Sequence, residues 1–117
     1  MKPHNKLFIS SNNITGSFGD GKWRLLKAVK KFGSIQKAAT ELGRSYRKAW
    51  GDIKRAEEGF GRPLVIKNRG GHSGGSTELT EFGHQLIKGW GAYRSDVRHH
   101  IDKAYNKHLK PFIENKK

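Results

Sequence analysis

The sequence predicts a mainly α-helical fold with a small β component, in one domain that spans residues 1–117. Several segments between residues 20 and 110 carry apolar residues at three- or four-residue spacing, which is typical of helices with one buried face. Two other segments contain paired strand-like stretches around turn-forming residues. At 117 residues, the chain has the usual length of a single domain.

The first pair of strand-like stretches predicts a β-hairpin over residues 7–18. The two stretches, 7–10 and 14–18, flank the segment 11–13, which contains two asparagines. Asparagine tolerates the left-handed backbone that a tight turn requires. We therefore expect a short hairpin at the N-terminus.

A first helix is expected directly after this hairpin. Asp20 can accept hydrogen bonds from the free amides at the start of the helix, and Gly33 can end it. The apolar residues of the segment share one face that we expect to be buried, namely Leu25, Leu26, Val29 and Phe32.

Two helices separated by a glycine are predicted over residues 34–59. Ser34 and Ser45 stand where these helices begin and can cap them, while Gly43 lies between them. The residues expected to face inward are Ile35, Ala38, Ala39 and Leu42, then Tyr46, Ala49, Trp50 and Ile53. The residues expected on or near the other face of the second helix are Arg44, Arg47, Lys48, Gly51, Asp52 and Arg55. Helix, glycine turn and helix with a basic outer face indicate a helix-turn-helix.

A second hairpin is predicted over residues 64–80, followed by a long C-terminal helix over residues 81–110. The two strand-like stretches of the hairpin are separated by a basic, glycine-rich segment. A hairpin that follows a helix-turn-helix is the wing of a winged helix-turn-helix domain, and such a loop can fit against a sugar-phosphate backbone. After Lys110, Pro111 disfavours further helix.

The apolar stripe of the last helix is longer than the core of so small a domain can cover. Its members are Phe82, Leu86, Trp90, Tyr93, Val97, Ile101 and Ala104. Such a stripe usually meets the same stripe of a second copy, so we expect a homodimer. The alternative is that the stripe packs back on the first helix within one chain.

The charge of the chain indicates its class of partner. There are 24 Lys and Arg against 10 Asp and Glu, which makes the formal net charge +14 and predicts binding to a polyanion. The apolar run at residues 7–9 is shorter than a signal peptide or a membrane-spanning helix requires, so we expect a cytoplasmic protein with no membrane partner. The chain has no cysteine, which excludes disulfides and Cys-based zinc sites.

Several blocks of the sequence, over roughly residues 7–100, together resemble one known family. The blocks are Gly19-Asp20-Gly21 through Leu25-Leu26, Gly33-Ser34-Ile35 with Ala38-Ala39, Ser45-Tyr46-Arg47-Lys48-Ala49-Trp50, Pro63-Leu64-Val65, the glycine-rich wing, and Leu79-Thr80 with Gly83. They are similar to the N-terminal winged-helix domain of the ModE-type molybdate-responsive transcription regulators. That domain is related to the LysR-type DNA-binding domain.

The resemblance implies a sequence-specific regulator of transcription that acts as a homodimer on double-stranded DNA with an inverted-repeat operator. The first and last helices would form the dimer interface, and the residues expected there are Leu25, Leu86, Trp90, Tyr93, Val97 and Ile101. ModE-type regulators also carry C-terminal oxyanion-binding modules. This chain ends before such a module could fit, so we expect no molybdate or tungstate sensing by the chain itself.

The resemblance places the DNA contacts on the third helix, which would enter the major groove, and on the wing. On the helix they are Arg44, Ser45, Tyr46, Arg47, Lys48 and Arg55. On the wing they are Lys67, Asn68, Arg69 and His72. Arg44 stands where the family pattern has an aliphatic residue, which adds a phosphate contact or changes the turn. The alternative for this helix face is a solvated basic surface.

Catalytic, cofactor and metal sites are not predicted. The segment Gly74-Gly75-Ser76 has no lysine of a phosphate-binding loop, the six histidines lack metal-ligand spacing, and no nucleophile elbow is present. Two other function classes stay open: a non-specific nucleic-acid-binding or architectural protein, and a module that recruits another protein through its last helix. A small effector or a separate sensor protein stays open as the source of the regulatory signal.

Overall fold

Two hairpins and a series of helices follow one another in the order that the sequence predicts. A computed structural model describes residues 1–11, 14–68 and 76–115. The elements are β1 (Phe8–Ser11), β2 (Ile14–Gly19), α1 (Asp20–Phe32), α2 (Ile35–Glu41), α3 (Tyr46–Phe60), β3 (Val65–Asn68), β4 (Ser76–Leu79), α4 (Glu81–His108) and α5 (Lys110–Ile113). The predicted mainly α winged helix-turn-helix, with an N-terminal hairpin, a hairpin wing and a long C-terminal helix, is confirmed.

The N-terminal hairpin runs directly into α1. β1 and β2 pair antiparallel, with Phe8 opposite Gly19. The prediction that Asp20 caps α1 is wrong, because Gly19 occupies the N-cap position and Asp20 is the first helical residue. The Asp20 carboxylate instead accepts hydrogen bonds from Trp90 Nε1 and Arg94 Nε of α4, both at 2.9 Å. A buried indole N–H requires such an acceptor, so Asp20 joins α1 to α4.

The helix-turn-helix is closed at both helix starts by serine caps, as predicted. Ser34 Oγ accepts from the Lys37 amide and Ser45 Oγ from the Lys48 amide, each at 3.1 Å. Between α2 and α3 the backbone of Gly43 has a φ of 67°, a left-handed conformation that glycine adopts without steric cost. These local features fix the angle at which α3 leaves the turn.

The wing is anchored to the helical body at both strands. β3 and β4 pair antiparallel, and the Thr77 amide donates to the Gly33 carbonyl oxygen at the end of α1. At the start of β3, Glu57 Oε2 of α3 accepts from the Leu64 amide at 2.7 Å and from the Val65 amide at 3.3 Å. The position of the wing therefore follows the position of α3.

The long C-terminal helix is shorter than predicted by two residues. α4 ends at His108, and the one-turn helix α5 follows from Lys110 to Ile113. The prediction that helix stops after Lys110 is wrong because Pro111 lies in the first turn of α5, where its missing N–H is not needed. No helix in the described part of the chain is long and apolar enough to cross a membrane.

The core is built around a row of aromatic rings. The Phe18 ring of β2 lies 5.1 Å from that of Trp90 and 5.8 Å from that of Phe60, measured between ring centroids. Trp90 is only 3% exposed and Leu25 is fully buried, both within the core of this chain. The core of their own chain thus covers these two side chains, and contact of either with a second copy stays a prediction.

Candidate nucleic-acid interface

The outer face of α3 carries Arg47, Gly51 and Arg55. A helix turns about 100° per residue, so residues four apart lie one above the other, and these three lie opposite the buried Ala49 and Ile53. Arg47 and Arg55 are exposed. In the described part of the chain, no ion pair or hydrogen bond engages the Arg47 side chain. This face therefore presents one unengaged guanidinium beside a residue that has no side chain.

Three of the predicted DNA contacts converge on one carboxylate, which belongs to Asp52. Asp52 is only 7% exposed, so the prediction that it lies on or near the outer face of α3 is wrong. Arg55 Nη2 lies 2.6 Å from Asp52 Oδ1, while Arg44 Nη1 and Lys48 Nζ each lie 3.9 Å from an Asp52 carboxylate oxygen. A buried carboxylate requires such partners. Asp52 thus holds one guanidinium closely and two further cations beside it.

The Arg44 side chain makes contacts within the fold and does not point freely into solvent. Its Nη1 atom donates to the Gly21 carbonyl oxygen at 3.3 Å, and its side chain is 22% exposed. An aliphatic side chain at this position could make neither this bond nor the ion pair with Asp52. Arg44 therefore links the start of α1 to α3 and keeps a positive charge between them.

Lys22 of α1 joins the same group of charges, although it was not among the predicted site residues. Its Nζ atom donates to the Ser17 carbonyl oxygen at 3.0 Å. Burial lowers the pKa of the Lys22 ammonium group; the Asp52 carboxylate opposes this effect, whereas Arg55 and Lys48 add to it. Lys22 therefore adds a fourth cation to the group around the Asp52 carboxylate.

The other flank of α3 meets the wing through a lysine that lies over two aromatic rings. Lys67 Nζ donates to Tyr46 Oη at 2.6 Å and lies 4.1 Å from the centroid of the Trp50 ring. Lys54 Nζ lies 4.6 Å from the same ring. The prediction that Tyr46 faces the core is wrong: its side chain is 38% exposed because the wing, rather than the core, provides its partner.

The structure describes two of the four remaining predicted DNA contacts on α3 and the wing. Ser45 is exposed and acts as the cap of α3, and Asn68 is exposed at the end of β3 opposite Ser76. Arg69 and His72 lie outside the described residues. The cluster at Asp52 has a sequence signature that could have been found, since Lys48, Asp52 and Arg55 are spaced to meet on one helix face. Lys22 lies far away along the chain and has no such signature.

Comparison with known proteins identifies the family. A family described as bacterial regulatory helix-turn-helix proteins, lysR family, matches residues 21–84. This chain belongs to that LysR family. The matched residues run from the start of α1 through the wing into the first turn of α4, so they contain every described part of the candidate interface. Members of the LysR family are regulatory proteins with this DNA-binding domain.

Individual relatives of this chain are proteins of the ModE and Mop type. The molybdenum-pterin-binding protein MopA of Rhodobacter capsulatus is 41% identical over 73 residues, which are 62% of this chain and 28% of that protein. The molybdenum transport protein ModE of Azotobacter vinelandii is 32% identical over 91 residues, which are 78% of this chain and 34% of that protein. The resemblance to a ModE-type helix-turn-helix domain is confirmed. The chain spans about a third of the length of these relatives.

A solved structure supports the fold. The DNA-binding domain of BenM, crystallised in a complex with benA site 1 DNA, has a TM-score of 0.55 and 22% sequence identity to this chain. The match covers 76% of this chain and 94% of that chain. The fold of that DNA-binding domain therefore extends over most of this chain.

Proposed function

We propose that this chain is a sequence-specific transcription regulator that binds double-stranded DNA with α3 in the major groove. The observation that carries the proposal is the outer face of α3, where Arg47 is exposed beside Gly51. An α-helix fits the major groove of B-DNA, and a guanidinium can donate two hydrogen bonds to O6 and N7 of one guanine. A glycine one turn further along lets the helix backbone approach the base edges closely.

The wing supports the same proposal as a contact to the DNA backbone. Lys67 lies over Tyr46 and Trp50 at the junction of α3 and β3, so its charge is held at the edge of the recognition helix. Phosphate contacts of this kind fix the register of a protein on DNA but do not read its sequence. We expect Lys67→Ala to weaken binding to all duplexes alike and to make the salt dependence shallower by about one unit of slope.

The homodimer is proposed from the part of α4 that extends past the core. The described chain measures 69 × 30 × 22 Å along its principal axes. Beyond Trp90, the stripe continues with Tyr93, which is 45% exposed, and with the half-buried Val97 and Ile101. A second copy would cover this stripe, whereas Leu86 packs partly on its own core. Two-fold symmetry then places two recognition helices about 34 Å apart, or a multiple of that distance, on an inverted repeat.

Substitution of Arg47 tests the proposed base reader. Arg47→Ala should weaken binding to a duplex selected from random DNA by about 1–3 kcal/mol, with the loss concentrated at particular base pairs. Arg24→Ala, on the exposed surface of α1, is a control with the same change of charge. If Arg47→Ala loses the same affinity for selected and scrambled duplexes, Arg47 does not read bases.

A non-specific nucleic-acid-binding or architectural protein is the second candidate, and the net charge of +14 favours it. Purely electrostatic binding depends on phosphates and not on bases. A large excess of genomic DNA at physiological salt would then abolish any preference for one duplex. Under the leading proposal, the selected duplex stays bound in that competition.

A further inference from the structure

A cationic hollow lies beside α3, on the side of the helix that faces the start of α1. The side chains of Lys22, Arg44, Lys48 and Asp52 line it, and its volume is about 300 Å³. The end of β2 and the first turn of α1 form part of its frame, since Lys22 Nζ donates to the Ser17 carbonyl oxygen and Arg44 Nη1 to that of Gly21. We call this site the α1–α3 hollow.

The α1–α3 hollow carries an excess of positive charge. Its only carboxylate among the described lining residues is that of Asp52, and the closest partner of that carboxylate is Arg55, at 2.6 Å. Arg44 and Lys48 approach Asp52 only to 3.9 Å, so neither is held in a short hydrogen bond by it. The hollow is therefore suited to receive an anion.

The position of the hollow relative to the groove indicates which anion it would meet. At 100° per residue, Tyr46, Trp50 and Lys54 lie on the flank of α3 beside the wing, and Lys48 and Asp52 lie on the opposite flank. The major groove is about 12 Å wide and a helix with its side chains about 10–12 Å, so the two flanks of a docked helix face the two phosphate backbones. In this arrangement the wing lies at one phosphate backbone of the DNA, and the α1–α3 hollow faces the other.

We propose that the α1–α3 hollow binds a phosphate group of the DNA strand opposite the strand that the wing contacts. The proposal rests on the proposed function, because it assumes that α3 lies in the major groove. Lys22, Arg44 and Lys48 supply the positive charge. The Asp52 carboxylate pairs with Arg55 at 2.6 Å and neutralises only part of the positive charge, which leaves the group with a net positive charge.

Salt-dependent binding of the full chain to duplex DNA tests the hollow. Each phosphate contact contributes about 0.9 to the slope of log K against log salt concentration. Lys22→Gln should therefore lower the slope by about one and weaken binding about fivefold at 0.15 M salt. The matched control is Lys103→Gln, an exposed lysine on the distal half of α4, which should change neither quantity. An unchanged slope for a folded Lys22→Gln protein would overturn the proposal.

A second variant separates the anion site from a merely structural role. Asp52→Asn removes the negative charge from the hollow, so it should tighten binding to a non-specific duplex, in the opposite direction to Lys22→Gln. If Asp52 served only to stabilise the fold, both variants would weaken binding in proportion to their loss of thermal stability. Weaker binding by Asp52→Asn at a temperature where it is folded would contradict the proposal.

Replacing single phosphates by uncharged groups locates the contact on the DNA. Methylphosphonate groups replace single phosphates, one at a time, in the duplex selected from random DNA. One replacement, on the strand opposite the wing contact, should weaken binding by the wild-type protein more than binding by Lys22→Gln. If every replacement has equal effects on both proteins, the hollow binds no phosphate although α3 still reads the groove. If the wild type selects no duplex and does not bind DNA, the proposed function fails together with it.

Discussion

Gly51 lies at the centre of the proposed DNA-binding face, so adding one methyl group there should separate folding from binding. A Cβ atom at Gly51 would meet only Arg55 Nη1, at 3.6 Å, which is an ordinary contact distance. Gly51→Ala should therefore be tolerated by the folded chain. On the outer face, however, the methyl group would stand between the helix backbone and the base edges.

The two effects have opposite signs and measurable sizes. Alanine in a helix interior is more favourable than glycine by about 0.8–1.0 kcal/mol, which corresponds to a rise in Tm of about 4 °C for a chain of this length. A methyl group forced into a close interface costs about 1–3 kcal/mol, or about five- to 150-fold in Kd. Gly51→Ala should therefore be more stable and bind DNA more weakly.

Thermal unfolding and fluorescence anisotropy on a selected duplex measure the two effects. Gly89→Ala is the matched control, because nothing lies within 4 Å of a Cβ at that helical position. It should raise Tm by a similar amount and leave the affinity unchanged. A Gly51→Ala protein that is more stable and binds DNA as tightly as the wild type would refute close approach of this face to the bases.

Three further substitutions test the dimer, the α1–α4 contact and the partly buried Lys22. Ile101→Asp should raise the dimer dissociation constant at least about tenfold, as measured by analytical ultracentrifugation, and an unchanged dimer would exclude this stripe from the interface. Asp20→Ala removes the acceptor of the buried Trp90 indole N–H, so it should lower the free energy of unfolding by about 1–3 kcal/mol, as measured by urea denaturation. Asp96→Ala, which changes an exposed carboxylate, is the control. If Asp20→Ala destabilises the chain no more than Asp96→Ala does, Asp20 does not have this role. Because burial lowers the pKa of Lys22 in the folded state, the folded chain loses this proton before the unfolded chain does as pH rises. The free energy of unfolding of the wild type relative to Lys22→Gln should therefore rise with pH below 10.5, and a difference that falls with pH would show the sign to be wrong.

Features set by neighbouring residues could be predicted from the sequence. Ser34 and Ser45 cap their helices as expected, because an N-cap hydrogen bond joins residues three apart. Gly43 has the left-handed backbone that the turn between α2 and α3 requires. The order of hairpins and helices follows from the same local patterns of apolar spacing and turn residues.

Features set by distant residues could not be predicted in this way. Trp90 is expected at an interface because it belongs to a helical stripe, but it packs on Phe18 and donates to Asp20, which lie 72 and 70 residues away along the chain. Helical periodicity identifies an apolar face and does not tell whether the same chain or a second copy covers it. Likewise, Lys22 reaches the charges of α3 only through the tertiary fold.

The candidate interface likewise combines features that the sequence shows with features that only the structure shows. The basic character of α3 is visible in the sequence, but only the structure distinguishes Arg47, which no described residue engages, from Arg55, which Asp52 holds at 2.6 Å. The Asp52 carboxylate occupies Arg55 Nη2, whereas all N–H donors of Arg47 are available for a bidentate contact to one base. For this reason Arg47 is the stronger candidate for reading bases.

Selection of bound fragments from random DNA by the purified chain tests the central claim most directly. The experiment returns the motif, its symmetry and the half-site spacing together. A regulator that binds as a two-fold dimer should enrich one inverted repeat, with half-site centres about one helical turn, or a multiple of it, apart. A bound pool with no enriched sequence at physiological salt would contradict sequence-specific binding by this chain.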